Sequence, residues 1–379
     1  NTPEWNSAAA VADLNGDGWL DLFVGSYIAL NNPVPNPIGA FPQDYYGIPD
    51  RLYLSNGIDS DGVPTFTEVT RDAGLAIDER TLGAIFSDFD ADGDLDLYLA
   101  NDGQPNRLYE YQLADNALGF TLIDTYETSG VNDRGSGMGV ASGDWTGDGW
   151  FDLMVTNWDT ELNAIYRNET GEAGDLSFVY STYRIGMVGL GNNMTGWAVH
   201  FADLDHDTDL DLLTVNGRVP VANPATDAEL VRLYGNRLVE GHPGQFREWT
   251  RTVGLNDIGP LMARGSALAD FDNDGDLDIA INTISGDALL LRNQSPTGNW
   301  LMIDLGAVIP GTYIEVQLAD STNLKLEFYD GSSNLATEDP RIHIGLWSHQ
   351  AIEQIVIHYP NGEVYTYEDV SVNQVFQPE

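Results

Sequence analysis

Residues 270–283 read DFDNDGDLDIAINT, and this stretch decides the fold. Aspartates stand at every second position from Asp270 to Asp278, and an apolar run follows at once. Five like charges this close repel one another, so the arrangement is costly unless a cation shares their oxygens. The apolar run is too short for a helix and rich in β-branched residues, which predicts a buried strand directly after an acidic loop.

The acidic loop is repeated along the chain at intervals of about 60 residues. Short apolar segments flank every copy, one before the loop and two or three after it, with Gly and Asn at the turns. Four short strands per repeat predict an all-β fold, specifically a β-propeller of four-stranded blades. The other four copies are DLNGDGWLDLFV from Asp13, DFDADGDLDLYL from Asp88, DWTGDGWFDLMV from Asp144 and DLDHDTDLDLLT from Asp203.

The repeats predict five blades over 1–298, followed by a small C-terminal β-domain over 299–379. The fifth repeat lacks the last segment, which starts with Phe in the other four. Residues 299–305, NWLMIDL, are an alternative fourth strand for that blade. Six or seven blades would be present if some blades lack the acidic loop. Two inserts, 26–50 and about 216–230, are predicted to be surface loops that carry specific contacts.

The loop consensus D-x-[DNT]-x-D-G-x-x-D predicts a calcium site. Side-chain oxygens at positions 1, 3, 5 and 9, with the backbone carbonyl at position 7, can converge on one hard cation. Up to five Ca²⁺ ions are therefore expected, and the fourth site is the least secure because Thr208 replaces the turn glycine. The candidate ligands are Asp13, Asn15, Asp17, Trp19 and Asp21; Asp88, Asp90, Asp92, Asp94 and Asp96; Asp144, Thr146, Asp148, Trp150 and Asp152; Asp203, Asp205, Asp207, Asp209 and Asp211; and Asp270, Asp272, Asp274, Asp276 and Asp278.

Charge and composition narrow the class of partner. The chain of 379 residues carries 59 Asp and Glu against 16 Lys and Arg, for a formal charge of −43. Nucleic acids and anionic membranes need basic patches, so neither is an expected partner. No apolar stretch reaches the roughly 18 residues of a membrane span. Adaptation to high salt is an alternative reason for the acidity, but it would not explain the regular spacing of the acids.

The repeats resemble the FG-GAP/VCBS type of integrin α-subunit propellers, over about 1–298. The tail, with EDPRIHIGLW at 338–347 and AIEQIVIHYPNGEVYTYEDVSVNQVF at 351–376, resembles the ASPIC/UnbV domain. That resemblance rests on His343, Gly345 and Leu346 and on the YPNG and NQ motifs. It implies a secreted or cell-surface protein used in adhesion or matrix.

The predicted function is a non-catalytic, calcium-binding extracellular propeller that binds protein or glycan partners, or assembles with itself as a homo-oligomer or filament. The sequence contains no nucleophile or phosphate-binding motif of a familiar enzyme class. The alternative is a secreted hydrolase or lyase with structural calcium, and a central cleft with His, Arg and a non-calcium carboxylate would favour it. The sequence leaves open whether Trp19, Trp145, Trp150 and Trp158 form an aromatic surface, and it predicts a solvated His206.

Overall fold

The computed structural model describes residues 5–75, 78–171, 174–187, 190–224, 226–295, 298–307, 309–328 and 332–378. Its regular structure is almost entirely strand, which confirms the predicted all-β fold. One helical turn, α1 (Tyr126–Ser129), and one 3-10 turn, Leu255–Ile258, are the helical elements of these residues.

Five successive antiparallel sheets form the blades, and their strands run outward in chain order. This confirms the predicted β-propeller with five visible blades, and the fifth blade has three strands in the described residues. With strands numbered along the chain, the blades are β1 (Asn6–Ala12), β2 (Asp21–Ser26), β5 (Arg51–Ile58) and β6 (Pro64–Glu68); β8 (Thr81–Ser87), β9 (Asp96–Asn101), β10 (Arg107–Leu113) and β11 (Phe120–Asp124); β12 (Val140–Gly143), β13 (Asp152–Val155), β14 (Ala164–Asn168) and β15 (Phe178–Tyr180); β16 (Gly196–Ala202), β17 (Asp211–Asn216), β18 (Arg232–Asn236) and β19 (Phe246–Glu248); and β20 (Ala263–Ala269), β21 (Asp278–Thr283) and β22 (Leu289–Leu291).

The first insert forms a small sheet, so the prediction of a surface loop there is wrong. β3 (Ile28–Pro33) pairs with β4 (Tyr45–Pro49), and β4 pairs with β7 (Asp78–Glu79). A segment this long must pair its backbone polar groups, and the short β7 before the second blade provides partners for part of it. The second insert is irregular, and the bond from Trp158 Nε1 to the Val219 carbonyl, 2.8 Å long, attaches it to the third blade.

Neighbouring blades meet through the residue at position 2 of each acidic loop. In the first four loops this side chain is buried under the next blade; Phe89, for example, meets Phe178 edge to face with centroids 5.6 Å apart. The backbone carbonyl of the same position accepts a hydrogen bond from the third strand of the next blade or, in the fifth blade, from Asn293, two residues after that strand. These bonds are Tyr111 Oη to Leu14 at 2.9 Å, Asn168 Nδ2 to Phe89 at 2.7 Å, Asn236 Nδ2 to Trp145 at 2.8 Å and Asn293 Nδ2 to Leu204 at 2.9 Å.

The tryptophans do not form one surface. Trp145 is 1% exposed and packs against Phe246 with ring centroids 5.4 Å apart, so it belongs to the core between the third and fourth blades. Trp19 is 46% exposed, and Trp150 and Trp158 are half-buried. An aromatic patch that includes Trp145 is therefore ruled out, because the next blade covers this ring.

The remaining strands form two sheets of a C-terminal β-domain. One contains β23 (Asn299–Ile303), β26 (Ile342–Trp347) and β29 (Gln374–Phe376); the other contains β24 (Thr312–Leu318), β25 (Asn323–Phe328), β27 (Ala351–His358) and β28 (Val364–Ser371). β23 pairs with β26 and β29, so the alternative in which 299–305 completes the fifth blade is wrong. The boundary between 298 and 299 itself stays a prediction.

A segment of this C-terminal domain, residues 332–339, reaches the innermost strands of the propeller. Ser333 and Val140 exchange backbone hydrogen bonds, at 2.6 and 3.0 Å, which places the segment against β12. The Asp339 N–H donates to the Leu268 carbonyl of β20 at 3.0 Å. The centre of the propeller is thus occupied by polypeptide from the tail, which the repeat pattern gave no means to predict.

Candidate metal centres

All five acidic loops fold in the same way, because the aspartate at position 1 organises each turn. Its carboxylate accepts the backbone N–H groups of positions 5 and 6 at 2.8–3.2 Å in every copy. The N–H of position 7 donates to the carboxylate at position 5 in every copy. The turn therefore curls around its own aspartates in all five loops.

Two positions of the loop adopt the left-handed backbone conformation. Position 6 has φ between 84° and 97°, and position 4 has φ between 57° and 72°. Glycine fits position 6 in four loops, as predicted, whereas Thr208 has φ 84° in the fourth and stores backbone strain. The sequence did not predict the left-handed conformation at position 4, because the residues there have no type in common. They are Gly16, Ala91, Gly147, His206 and Asn273.

The aspartate at position 9 ties each loop to its blade. These five carboxylates are at most 1% exposed. Each accepts a backbone N–H at 2.7–3.0 Å from the third strand or, in the fifth blade, from Asn293, two residues after it. One of the predicted ligand positions thus also has a structural role, because it fixes the distance between the loop and the third strand. The residues at this position are Asp21, Asp96, Asp152, Asp211 and Asp278.

Three of the five loops bring at least three carboxylates together closely enough to share one metal ion. In each group the oxygens concerned lie within 4.8 Å of one another. The first and third loops have Asn15 and Thr146 at position 3, so they offer fewer carboxylates there. The three groups are Asp88, Asp90 and Asp92; Asp203, Asp205 and Asp207; and Asp270, Asp272 and Asp278.

Buried carboxylate oxygens in two of these loops fit a cation. Asp94 Oδ1, Asp205 Oδ1 and Asp209 Oδ1 are closed to water and accept no hydrogen bond from the described residues. An unpaired buried carboxylate oxygen is costly. Ca²⁺ lies about 2.3–2.6 Å from its oxygens, closer than a hydrogen-bonded water, so it fits where water does not. The donor set, oxygen alone, is the one that hard divalent cations prefer.

The pKa values of these carboxyls show that it is unfavourable to keep them all ionised without a cation beside them. Burial, reinforced by the neighbouring aspartates, raises the pKa of Asp90 and of Asp207 to about 7, and that of Asp205 to about 6. In the fifth loop the Arg292 guanidinium instead lowers the pKa of Asp274, with its Nη2 2.7 Å from Oδ2. Arg292 was not singled out in the sequence, and it offers the fifth loop an internal positive charge.

The C-terminal domain packs directly on three of the acidic loops. Glu327 Oε1 accepts the Asp88 N–H at 3.0 Å, and Arg341 Nη2 donates to the Asp270 carbonyl at 3.0 Å. A Cβ added to Gly345 would lie 1.9 Å from Asp203 Oδ2, so only glycine allows this approach. The second, fourth and fifth loops therefore lie between the propeller and the C-terminal domain.

His206 belongs to this interface, and the expectation that it is solvated is wrong. Its side chain is fully buried, and its ring lies against that of His343 with centroids 4.8 Å apart. The Trp347 N–H donates to the His206 carbonyl at 2.6 Å. The acidic spacing alone could not reveal that the fourth loop is covered by β26.

A cavity of about 140 Å³ lies between the C-terminal domain and the third to fifth blades. Its lining includes His200, Lys325, Glu327, Glu338 and Arg341. His200 Nε2 is 2.6 Å from Ser266 Oγ, and its Nδ1 contacts the Glu338 carboxylate. A histidine, an arginine and carboxylates outside the predicted calcium set thus meet near the centre of the fold.

Comparison with known protein families supports the repeat assignment. Residues 88–155 and 144–214 match the FG-GAP-like repeat, residues 5–32 match the FG-GAP repeat, and residues 307–377 match the ASPIC and UnbV domain. The chain is therefore an FG-GAP-repeat propeller followed by an ASPIC/UnbV domain, which confirms the resemblance drawn from the sequence.

The curated relatives carry the same name in three vertebrates. The chain is 25% identical to cartilage acidic protein 1 of Mus musculus over 373 residues, covering 94% of this chain and 52% of the relative. It is 24% identical to the Homo sapiens protein over 94% of this chain and 50% of the relative. For the Xenopus tropicalis protein the identity is 26%, over 72% of this chain and 40% of the relative. The chain thus spans about half the length of these relatives or less.

Solved structures give only distant likenesses. The Dos1 propeller aligns over 99% of this chain and 76% of its own, with TM-score 0.38 and 8% identity. An Agrocybe aegerita lectin that recognises terminal N-acetylglucosamine aligns over 96% of this chain and 81% of its own, with TM-score 0.38 and 14% identity. The fold assignment rests on the sheets and repeats themselves. In the described residues, no helix is long and apolar enough to cross a membrane.

Proposed function

We propose that this chain is a non-catalytic, calcium-stabilised extracellular propeller, secreted or held at the cell surface, that presents its blades to protein or glycan partners or to further copies of itself. The observation that carries the proposal is the set of buried carboxylate oxygens that lack a partner among the described residues, in loops where three carboxylates converge within 4.8 Å. A divalent ion converts their repulsion into shared coordination and holds each loop closed.

Calcium fits better than magnesium. The loop supplies carboxylate and carbonyl oxygens from side chains and backbone at irregular angles, which the flexible coordination of Ca²⁺ tolerates. Mg²⁺ requires a near-ideal octahedron and usually keeps several waters, for which these closed loops leave little room. Extracellular calcium modules bind at about 10⁻⁴–10⁻³ M, so such sites fill outside the cell and not in the cytosol.

Five occupied sites would contribute much of the stability. A site filled at about 100-fold over its dissociation constant contributes about 2.7 kcal/mol, so several together are comparable to the net stability of a domain. The ions would also hold the C-terminal domain in place, because Glu327, Arg341 and Gly345 contact the second, fifth and fourth loops.

The experiment is thermal unfolding with calcium, magnesium or chelator, on the wild type and on Asp205→Asn. Calcium should raise the melting temperature of the wild type by clearly more than magnesium does, and the variant should lose part of that rise. Asp115→Asn is the matched control, because Asp115 is exposed and outside the loops. Equal stabilisation by sodium chloride at matched ionic strength would assign the acidity to high-salt adaptation and overturn the proposal.

A hydrolase is the second candidate, and the Ser266–His200–Glu338 arrangement favours it. Such a triad lets histidine take the serine proton while the carboxylate stabilises the imidazolium. Ser266 is, however, only 3% exposed, and the simpler interpretation is that the network anchors residues 332–339. Labelling by a fluorophosphonate that Ser266→Ala abolishes would support the hydrolase; no labelling of the folded, calcium-loaded chain would exclude this triad as a serine hydrolase.

A further inference from the structure

The fourth acidic loop is covered more completely than the other four. All nine of its residues, 203–211, are buried or half-buried. Every other loop has at least two exposed residues. These are 15–20 in the first loop, 91–93 in the second, 147 and 148 in the third, and 271–274 in the fifth.

Strand β26 of the C-terminal domain covers one side of the fourth loop. Gly345 lies so close to it that an added Cβ would overlap the Asp203 carboxylate. The Trp347 N–H donates to the His206 carbonyl at 2.6 Å, and the His343 ring lies against the His206 ring. The C-terminal domain therefore closes the loop along its first four positions.

The propeller covers the other sides of this loop. The Val239 N–H, in the connection between β18 and β19, donates to Asp209 Oδ2 at 3.1 Å. Asp276 of the fifth loop has its Oδ1 3.7 Å from His206 Nε2. Of these covering elements, β26 belongs to the other domain, so its departure opens the loop while the blades stay intact.

The interior of the fourth loop still requires a cation. Asp205 Oδ1 and Asp209 Oδ1 are closed to water and accept no hydrogen bond from the described residues. Asp203, Asp205 and Asp207 offer oxygens within 4.8 Å of one another. Asp209 is 2% exposed, so this is a buried site and not a surface cluster of acids. A hard cation held by these oxygens would be enclosed by protein.

We propose that the fourth loop is an occluded calcium site, whose ion binds before the C-terminal domain docks and stays until β26 moves away. The other loops have exposed residues, so their ions exchange with solvent. The chain then holds one locked ion, which persists when free calcium falls, and further ions that follow the calcium concentration. This inference rests on the proposed function, because it takes calcium as the bound ion.

The closure makes ion release and domain docking depend on each other. The locked ion cannot leave faster than β26 separates from the loop, so its release rate should not change with the concentration of chelator. Coupling is reciprocal, so an ion that docking retains must also stabilise the docked state. Loss of the ion leaves buried carboxylates uncompensated against β26, which favours separation of the two domains.

The test is exchange of radioactive calcium. The chain of 379 residues is loaded with the label, freed of unbound ions and mixed with excess unlabelled calcium or with increasing chelator. One label per chain should remain after the others have exchanged, and its loss should be independent of chelator concentration. Asp205→Asn should abolish the retained label. Asp272→Asn is the matched control, because it makes the same change at position 3 of the fifth loop, where the side chain is exposed, and it should keep that label.

Gly345→Ala tests the role of β26 without removing any loop carboxylate. Its Cβ would push β26 away from the loop, so release of the retained label should be at least about fivefold faster. Exchange of every bound label at once in the wild type would overturn the occluded site and leave the calcium proposal standing. Retention that is unchanged in Asp205→Asn, or release that is not faster in Gly345→Ala, would also overturn it. A chain that binds no label in millimolar calcium would refute both proposals.

Discussion

Asp50 gives the clearest prediction about pH. Its side chain is buried at 6% exposure, with Oδ1 accepting the Ser26 N–H at 2.7 Å and Oδ2 lying 2.8 Å from Thr81 Oγ1. Thr81 Oγ1 is also 2.9 Å from Asn101 Oδ1. A hydroxyl has one proton and cannot donate to both oxygens. A protonated Asp50 resolves this, because it donates to Thr81 and frees the hydroxyl proton for Asn101.

The magnitude follows from the pKa. Burial is the main cause that raises the pKa of Asp50 from its ordinary value of 3.8 to about 7. The folded chain therefore holds a proton that the unfolded chain releases, so the free energy of unfolding falls as pH rises from about 4 to 7 and changes little above that. Three pKa units correspond to about 4 kcal/mol, which is an upper limit for this one group.

The perturbation is Asp50→Asn, whose amide can donate to Thr81 and accept from Ser26 without any charge. We expect the stability advantage of the variant over the wild type to grow by up to about 2.7 kcal/mol between pH 5 and pH 7.5, because about two of the three pKa units fall in that interval. The assay is urea unfolding at several pH values in excess calcium, which keeps the loop carboxylates ionised. Parallel pH profiles for the two proteins would show that Asp50 does not hold a proton in the folded state.

Three further substitutions test the loops. Arg292→Gln should raise the calcium affinity of the fifth loop, measured by calorimetry, because it removes a guanidinium 2.6 Å from Asp272; unchanged affinity would show that this pair does not compete with the ion. Gly345→Ala should destabilise the docking of the tail by about 1–3 kcal/mol, since its Cβ would overlap Asp203. Limited proteolysis should cut the variant faster than the wild type, and equal rates of cleavage would contradict the close packing. Thr208→Gly should stabilise the chain by up to about 1 kcal/mol in thermal unfolding, because it relieves a φ of 84°, and a loss of stability would show that no strain is stored there.

The sequence predicts the blades well because the residues that define each strand and turn lie within the repeat itself. The alternation of apolar residues defines the strands, and the glycine at loop position 6 defines the turn. The phenylalanines that open the fourth segments, such as Phe120 and Phe178, begin β11 and β15 as expected. These signals are local, and tertiary contacts do not change the strands that they predict.

The errors concern contacts between distant parts of the chain. His206 is buried because β26 of the tail covers the fourth loop, and Trp145 is buried because the fourth blade covers the third. Neither partner can be read from the residues around these side chains. The hydrogen-bonding needs of residues 26–50 could have been recognised, since so long a segment seldom stays irregular in a compact domain.

The nine-residue loop places the proposed ion site directly beside the contacts between blades. In the three loops whose carboxylates converge, positions 1 and 3 belong to every group, and position 5 or position 9 completes it. Position 9 also fixes the third strand of the same blade, and position 2 packs into the next blade in the first four blades. If the loop binds an ion as proposed, loss of that ion would let its carboxylates repel one another, and their separation would displace the position-2 side chain and the carbonyl that accepts a bond from the neighbouring blade. Removal of calcium should therefore weaken the contacts between blades before it unfolds any one sheet.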